Sequence, residues 1–107
     1  MSWIVEFLDK DVEAALDALP ADMRAHFLHI VNLIQSEGLE RVREPYIKHL
    51  EAKLWEMRLK GRSGIARAIY VTAIGKRIVV VHVFTKKTQK TSRHEIETAL
   101  KRAKEVE

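Results

Sequence analysis

The sequence has no cysteine and few chain-breaking residues, with two prolines and four glycines among 107 residues. The absence of cysteine excludes disulfide bonds, thiolate metal ligands and a cysteine nucleophile, and it is compatible with a reducing cytosol. No run of about eighteen apolar residues is present to cross a membrane, and the N-terminal stretch carries acids where a secretory signal needs a positive start. We therefore expect one cytoplasmic globular domain over residues 1–107 that has no membrane partner.

Charge is distributed unevenly along the chain. Residues 1–40 hold two basic and eight acidic side chains, a net charge of −6, whereas residues 41–93 hold fourteen Lys or Arg against three Glu, a net charge of +11. The overall charge of +4 therefore hides a strongly dipolar molecule whose basic half should attract a polyanion. Nucleic acid is the first partner that this distribution predicts.

Hydrophobic spacing in the first half of the chain predicts a strand and two helices. Residues 3–8 form a short apolar run typical of an edge strand. Apolar residues three or four apart then predict two antiparallel helices, separated by Pro20, with the second ending at Gly38. Residues 39–52 are predicted to be a loop with at most a short helical turn, because Pro45 argues against a continuous helix.

The second half changes to a period of two. Three strands joined by short turns are predicted, over residues 54–60, 65–73 and 77–85. Ser92 and Glu95 form a capping-box pattern that starts a terminal helix, and Trp3 and Trp55 are interpreted as core residues. The expected fold is α/β (α+β), with the N-terminal strand and helical hairpin packed on an antiparallel sheet and a C-terminal helix.

Cations of the predicted strands converge on one face. Alternation places Arg58 and Lys60 on one side of their strand, and the hairpin brings Arg67 of the next strand to the same side. Like charges side by side are unfavourable unless an anion sits among them, so Arg58 and Arg67, together with Lys86 and Lys87, could hold a phosphate. A solvated sheet face is the alternative.

Such a cluster could cleave RNA without a metal. The protein would help the 2′-hydroxyl attack its own phosphate, stabilise charge at phosphorus and protonate the leaving 5′-oxygen. A lysine crowded by cations has a lowered pKa, so Lys86 or Lys87 could transfer protons, as could His82. Phe84 could stack on a base, although both His82 and Phe84 also fit a core role. His94, in the first turn of the last helix, is a further candidate, with solvent exposure as the alternative.

Other cations in the basic half are candidates for contacting the RNA backbone: Lys53, Lys60, Arg62, Lys90 and Arg93. No metal is expected, because His26 and His29 lie three apart on a predicted helix without a Cys or a well-placed carboxylate to complete a ligand set. No phosphate-binding glycine loop, nucleophile elbow or dinucleotide fingerprint is present, so no cofactor is predicted.

Four short motifs carry a family resemblance: LWEMR from Leu54, ARAIY from Ala66, HVFTKKT from His82, and Glu95-Ile96 followed by Ala99. In this order and spacing they resemble the phage-derived HigB-like branch of the RelE/ParE toxin superfamily, over nearly the whole chain. The resemblance implies the small RelE-like fold and the toxin of a type II toxin-antitoxin system. RelE and HigB toxins are metal-independent endoribonucleases that cut messenger RNA in the ribosomal A site and inhibit translation.

The resemblance also implies roles for particular residues. Three cations match the phosphate-stabilising positions of the family, namely Arg58, Arg67 and Lys87, and Lys86 lies beside the last of them. Glu56 stands where well-studied RelE nucleases have a lysine, although glutamate is usual in the HigB-like branch, so the identity of the general base is open. RelE members use a tyrosine near the start of the last helix, where this chain has Arg93 and His94.

Two other functions remain open. The same fold could serve a ParE-like DNA gyrase inhibitor, or an inactive toxin homologue that only binds its antitoxin. The expected partners are the ribosome, its mRNA and a cognate antitoxin, for which the resemblance suggests a helix-turn-helix DNA-binding domain.

Overall fold

A computed structural model describes residues 2–86 and 90–106, with the backbone alone for Lys86. The elements in these ranges are β1 (Ile4–Phe7), α1 (Lys10–Asp17), α2 (Ala21–Glu37), a 3-10 turn (Leu39–Arg41), β2 (Ile47–Glu51), β3 (Leu54–Gly61), β4 (Gly64–Ala73), β5 (Arg77–Lys86) and α3 (Arg93–Ala103). The predicted α+β class and the order of its main elements are confirmed. The predicted Lys87 lies outside the described residues.

The strands form one mixed sheet in the order β1-β5-β4-β3-β2. The predicted meander of β3, β4 and β5 is antiparallel, and β1 is the predicted edge strand, although it pairs with β5 in parallel. The prediction of a loop over residues 39–52 was wrong for Ile47–Glu51, which pairs with β3 as the opposite edge strand. Its central residues, Lys48 and His49, are polar and exposed, so the segment lacks the apolar alternation that marks a half-buried strand.

The two faces of the sheet are covered by different helices. Helices α1 and α2 pack on one face over a large apolar core, and α3 packs on the other over a smaller one. The predicted alternation in β3 is confirmed, since Met57 and Leu59 are fully buried beneath α1 and α2. Trp55 on the same strand is 39% exposed, so its interpretation as a core residue was wrong. Its side chain lines a surface cavity and does not join the core beneath the helices.

Local side-chain contacts explain where the helices begin and end. Asp9 caps α1 by accepting a hydrogen bond from the Val12 amide at 2.9 Å. Gly38 ends α2 with φ at 90°, a backbone conformation that disfavours other residues. Ser92 caps α3 by accepting from the Glu95 amide at 3.5 Å. No helix in the described ranges has both the length and the apolar composition needed to cross a membrane.

A bulge in β5 sets which of its side chains face α3. Ile69 pairs with His82 and Tyr70 pairs with Val80, so Val81 has no partner on β4. The extra residue lets Val81 and His82 both turn towards α3. Beyond the bulge, the strand continues with Phe84 on the same face as His82.

Helix α2 holds the turn between β3 and β4. The Asp22 carboxylate accepts from the Arg62 amide at 2.7 Å, and His26 Nδ1 accepts from the Lys60 amide at 2.8 Å. Gly61 lies so close to the helix that an added Cβ would sit 2.7 Å from Asp22 Oδ1. These contacts fix the position of a turn that bears two exposed cations.

We expect the fold to lose stability as the pH falls below about 6.5, the ordinary pKa of histidine. Burial, followed by the charges of His29 and Lys60, lowers the pKa of His26 in the folded chain. The unfolded chain therefore takes up a proton on His26 at a higher pH than the folded chain does, which favours unfolding below that pH. The temperature at the midpoint of thermal unfolding should therefore decrease as the pH is lowered from about 8 to about 5. His26→Asn should make the fall shallower, because it keeps an acceptor for the Lys60 amide and does not titrate.

The control is His49→Asn, at an exposed histidine of β2 far from this turn. It should keep the pH dependence of the wild type. If His26→Asn also kept that dependence, His26 would not be the source of the acid sensitivity.

Candidate functional site

A row of three side chains crosses the sheet on the face covered by α3. Strand register pairs Arg58 of β3 with Arg67 of β4, and Arg67 with Phe84 of β5. Directly opposed residues in antiparallel strands share a face, so the predicted proximity of Arg58 and Arg67 is confirmed. Their roles at a phosphate remain predictions.

A buried carboxylate relieves the repulsion between the two arginines. Glu56 Oε2 accepts from Arg67 Nη1 at 2.7 Å and lies 4.0 Å from Arg58 Nε. The side chains of Glu56 and Arg67 are each only 1% exposed. The pair is therefore a buried ion pair, in which each charge depends on the other for compensation.

Thr91 closes a triangle with this pair. Its Oγ1 accepts from Arg67 Nη1 at 3.1 Å and donates to Glu56 Oε1 at 3.0 Å. Thr91 directly precedes Ser92, the N-cap of α3. The Glu56–Arg67–Thr91 triangle therefore attaches the start of α3 to the centre of the sheet.

Arg58 differs from Arg67 in its exposure and its contacts. Its side chain is 24% exposed, and its Nε is buried without a hydrogen-bond partner among the described residues. The ion pair with Glu56, at 4.0 Å, is too long to be a hydrogen bond. Arg58 is therefore the more accessible of the two guanidinium groups to an anion that approaches this face.

His82 connects β5 to α3. Its Nδ1 lies 3.1 Å from Arg102 Nη1, a group that can only donate, so Nδ1 accepts and Nε2 is the donor to Glu95 Oε1 at 2.7 Å. The ring also stacks on Phe84, with centroids 5.0 Å apart. Both ring nitrogens are thus engaged within the protein, which favours a role in holding α3 on the sheet over the predicted proton transfer. Phe84 is half-buried.

The remaining predicted residues of α3 lie at its exposed start. Arg93 donates to both oxygens of Glu51 at 2.6 and 2.7 Å and ion-pairs with Glu97 at 3.5 Å. The hydrogen bonds from Arg93 lower the pKa of the Glu51 carboxyl. His94 is exposed in the same turn, which was the alternative predicted for it from the sequence.

The structure brings some of the predicted RNA-binding cations together and separates one. Lys60 at the end of β3 and Arg62 in the turn after it are both exposed. The strand register places the backbone of Lys86 opposite Ile65, near the same end of the sheet. Lys53 is exposed at the other end of β3, roughly 20 Å from Lys60 at about 3.3 Å per residue.

Two candidates lie on the segment between β5 and α3. Lys90 is exposed just before Thr91. Lys87 falls outside the described residues, so its placement stays a prediction. Among residues 2–86 and 90–106, no group of three or more His, Asp or Glu side chains is placed to hold a metal.

A cavity of about 810 Å³ lies on the other side of the sheet. Trp3, Trp55 and Tyr70 line it together with residues of the 3-10 turn and β2. None of the predicted site residues that the structure describes lines this cavity. The cavity is therefore separate from the row formed by Arg58, Arg67 and Phe84.

Sequence reasoning missed the contacts made by Glu56, Thr91 and Glu95. The parity of β3 was enough to place Glu56 beside Arg58, and the pairing of Arg58 with Arg67 could have brought it to the second arginine. No sequence signal identifies Thr91, because its contact depends on where the chain returns to the sheet. The capping-box pattern located Glu95, but its carboxylate binds His82.

The chain is similar to known proteins over most of its length. The family described as Phage derived protein Gp49-like matches residues 14–104. Among proteins of curated function, none matches the sequence. A chain of the archaeal RelE-RelB complex from Pyrococcus horikoshii OT3 is 25% identical, with a TM-score of 0.61, and the match covers 81% of this chain and 98% of that one.

A mutant of the E. coli toxin RelE in the free state is 17% identical, with a TM-score of 0.66, and the match covers 95% of this chain and 98% of that one. At this identity the likeness concerns the fold. Together with the family match, it confirms the predicted place of this sequence in a phage-derived branch of the RelE superfamily. The chain belongs to the phage-derived Gp49-like family and has the fold of RelE toxins.

Proposed function

We propose that this protein is the toxin of a type II toxin-antitoxin pair and acts in the cytoplasm. Its activity is that of a ribosome-dependent, metal-independent endoribonuclease that cuts messenger RNA and so inhibits translation. The observation that carries the proposal is Arg58, whose guanidinium has available donors beside a buried Glu56–Arg67 pair on the basic part of a RelE-like sheet.

The charge of this cluster suits a phosphodiester. Two guanidinium groups and one carboxylate leave a net charge of +1 around Arg58, Arg67 and Glu56. When the 2′-oxygen attacks phosphorus, a second negative charge develops on the phosphoryl oxygens, and a preorganised guanidinium stabilises that state more than the ground state. The cluster therefore supplies electrostatic stabilisation of the transition state.

The other steps fall to groups around this cluster. The 2′-hydroxyl must lose its proton, and the 5′-oxygen must gain one as its bond to phosphorus breaks. Lys86, Lys87 and His94 are the candidates for these transfers, since both nitrogens of His82 are engaged with α3. Phe84, half-buried beside Arg67, is the candidate for stacking on a base.

A cognate antitoxin is the second part of the proposal. The similar Pyrococcus horikoshii structure is a complex of RelE with RelB. We propose that a partner with a helix-turn-helix DNA-binding domain neutralises the present protein, and that acidic segments of the partner cover the basic sheet face.

Purified protein, added to translating ribosomes, should cut messenger RNA in the presence of a metal chelator specific for transition metals. Arg58→Ala should slow cleavage at least about 100-fold, the usual cost of removing one donor to a developing oxyanion. Lys10→Ala, an exposed charge on α1 at the other face, is the control and should cleave like the wild type. Primer extension on the message measures each rate.

If the messenger RNA stays intact in this assay with folded wild-type protein, the nuclease proposal is wrong. If the protein instead blocked DNA supercoiling by gyrase, the ParE-like alternative would replace it.

Expression of the protein alone should arrest bacterial growth, and co-expression of a helix-turn-helix protein encoded beside it should restore growth. The reason is that the antitoxin would occupy the cationic face and exclude RNA. Colony counts after induction measure both effects, with Arg58→Ala as the non-toxic control. Normal growth on expression of the wild-type protein alone would favour an inactive homologue.

A further inference from the structure

We propose that Glu56 is a positioning residue that gives the two arginines, Arg58 and Arg67, different roles. Through the Glu56–Arg67–Thr91 triangle it holds Arg67 as a structural cation, and it leaves Arg58 as the guanidinium that meets the RNA phosphate. The inference rests on the proposed function for the identity of the anion. It separates two residues that the family resemblance treats alike.

The burial of Arg67 is the first argument. Its side chain is 1% exposed, and its Nη1 donates both to Glu56 and to Thr91. A phosphate could reach this guanidinium only if the triangle opened. Opening it would leave the Glu56 carboxylate buried without its compensating charge, which is strongly unfavourable.

The contrast with Arg58 is the second argument. It lies directly opposite Arg67 in the register, yet its side chain is 24% exposed, whereas that of Arg67 is 1% exposed. Glu56 Oε2, at 4.0 Å, attracts the guanidinium of Arg58 without occupying its donors. The carboxylate thus draws Arg58 to a fixed place and leaves its hydrogen bonds for a ligand.

The position of Thr91 is the third argument. The triangle fixes this residue at the sheet, directly before Ser92, the N-cap of α3. Glu56 accordingly acts on two elements, the guanidinium of Arg58 on β3 and the start of α3.

Binding of a 2′-O-methyl RNA oligonucleotide, which cannot be cleaved, tests which arginine meets phosphate. Affinity is measured against NaCl concentration for the wild type, Arg58→Met, Arg67→Met and the double variant Glu56→Leu/Arg67→Met. Loss of one phosphate contact on a single strand lowers the slope of log affinity against log salt by about 0.7. We expect this loss in Arg58→Met, whereas the double variant should keep the wild-type slope.

Thermal unfolding of the same proteins separates folding from binding. Arg67→Met should melt well below the wild type, because Glu56 is left uncompensated. The double variant should recover most of that loss, since apolar residues of similar volume often replace a buried ion pair without cost. The inference is overturned if the double variant folds but its salt slope is about 0.7 lower than that of the wild type. It is also overturned if the double variant melts at no higher a temperature than Arg67→Met.

Glu56→Gln tests the positioning role itself. Removal of the negative charge raises the cluster to a net +2, so RNA binding should be equal or tighter, while cleavage on the ribosome should slow at least tenfold. A merely structural role would not give this split between binding and kcat. Unchanged cleavage would overturn the positioning role. If the wild type binds RNA but never cleaves it, the nuclease proposal is wrong. The salt slopes and melting temperatures would still show whether Arg58 contacts phosphate and whether Arg67 has a structural role.

Discussion

A carboxylate and a guanidinium are buried together at the centre of the sheet, and much of the molecule is arranged around that contact. Glu56 on β3 and Arg67 on β4 lie on the face covered by α3, so neither has water to solvate its charge. Their mutual hydrogen bond at 2.7 Å supplies the compensation, and Thr91 satisfies the second carboxylate oxygen. Because either charge would be strongly unfavourable at this depth without the other, the pair favours a single register between the two strands and a single docking position for the start of α3.

The fold converts an uneven sequence into a molecule with two different faces. The acidic residues of the first forty positions lie largely on α1 and α2, which cover one side of the sheet. Several of the basic residues that follow lie on the strands and on the turn after β3, among them the exposed Lys60 at the end of β3 and Arg62 in the turn. Asp22 and His26 on α2 hold that turn by its backbone, so an acidic helix positions a cationic loop. A polyanion would therefore meet the strand face, and its approach would be steered by the dipole of the whole chain.

The alternation in β3 was enough to predict that Met57 and Leu59 are core residues and that Arg58 shares a face with Arg67. Strand β2 could not be predicted, because Lys48 and His49 at its centre are both exposed and leave no alternation after the buried Ile47. The bulge at Val81 was equally hidden, since an unbroken apolar run gives no sign of where one residue drops out of register. The Glu56–Arg67–Thr91 triangle could not be predicted from the sequence, because Thr91 reaches Glu56 only after the chain has turned back over the sheet.

NMR of the arginine side chains can distinguish an Arg67 locked within the protein from an Arg58 that faces the RNA. The guanidinium signals of ¹⁵N-labelled protein, assigned by single arginine replacements, are followed as a non-cleavable RNA is added. We expect Arg67 to show separate, slowly exchanging Nη signals that RNA leaves unchanged, and the guanidinium signals of Arg58 to move in proportion to binding. A shift of the Arg67 signals with RNA, together with a stationary Arg58, would show that the roles of the two arginines are the reverse.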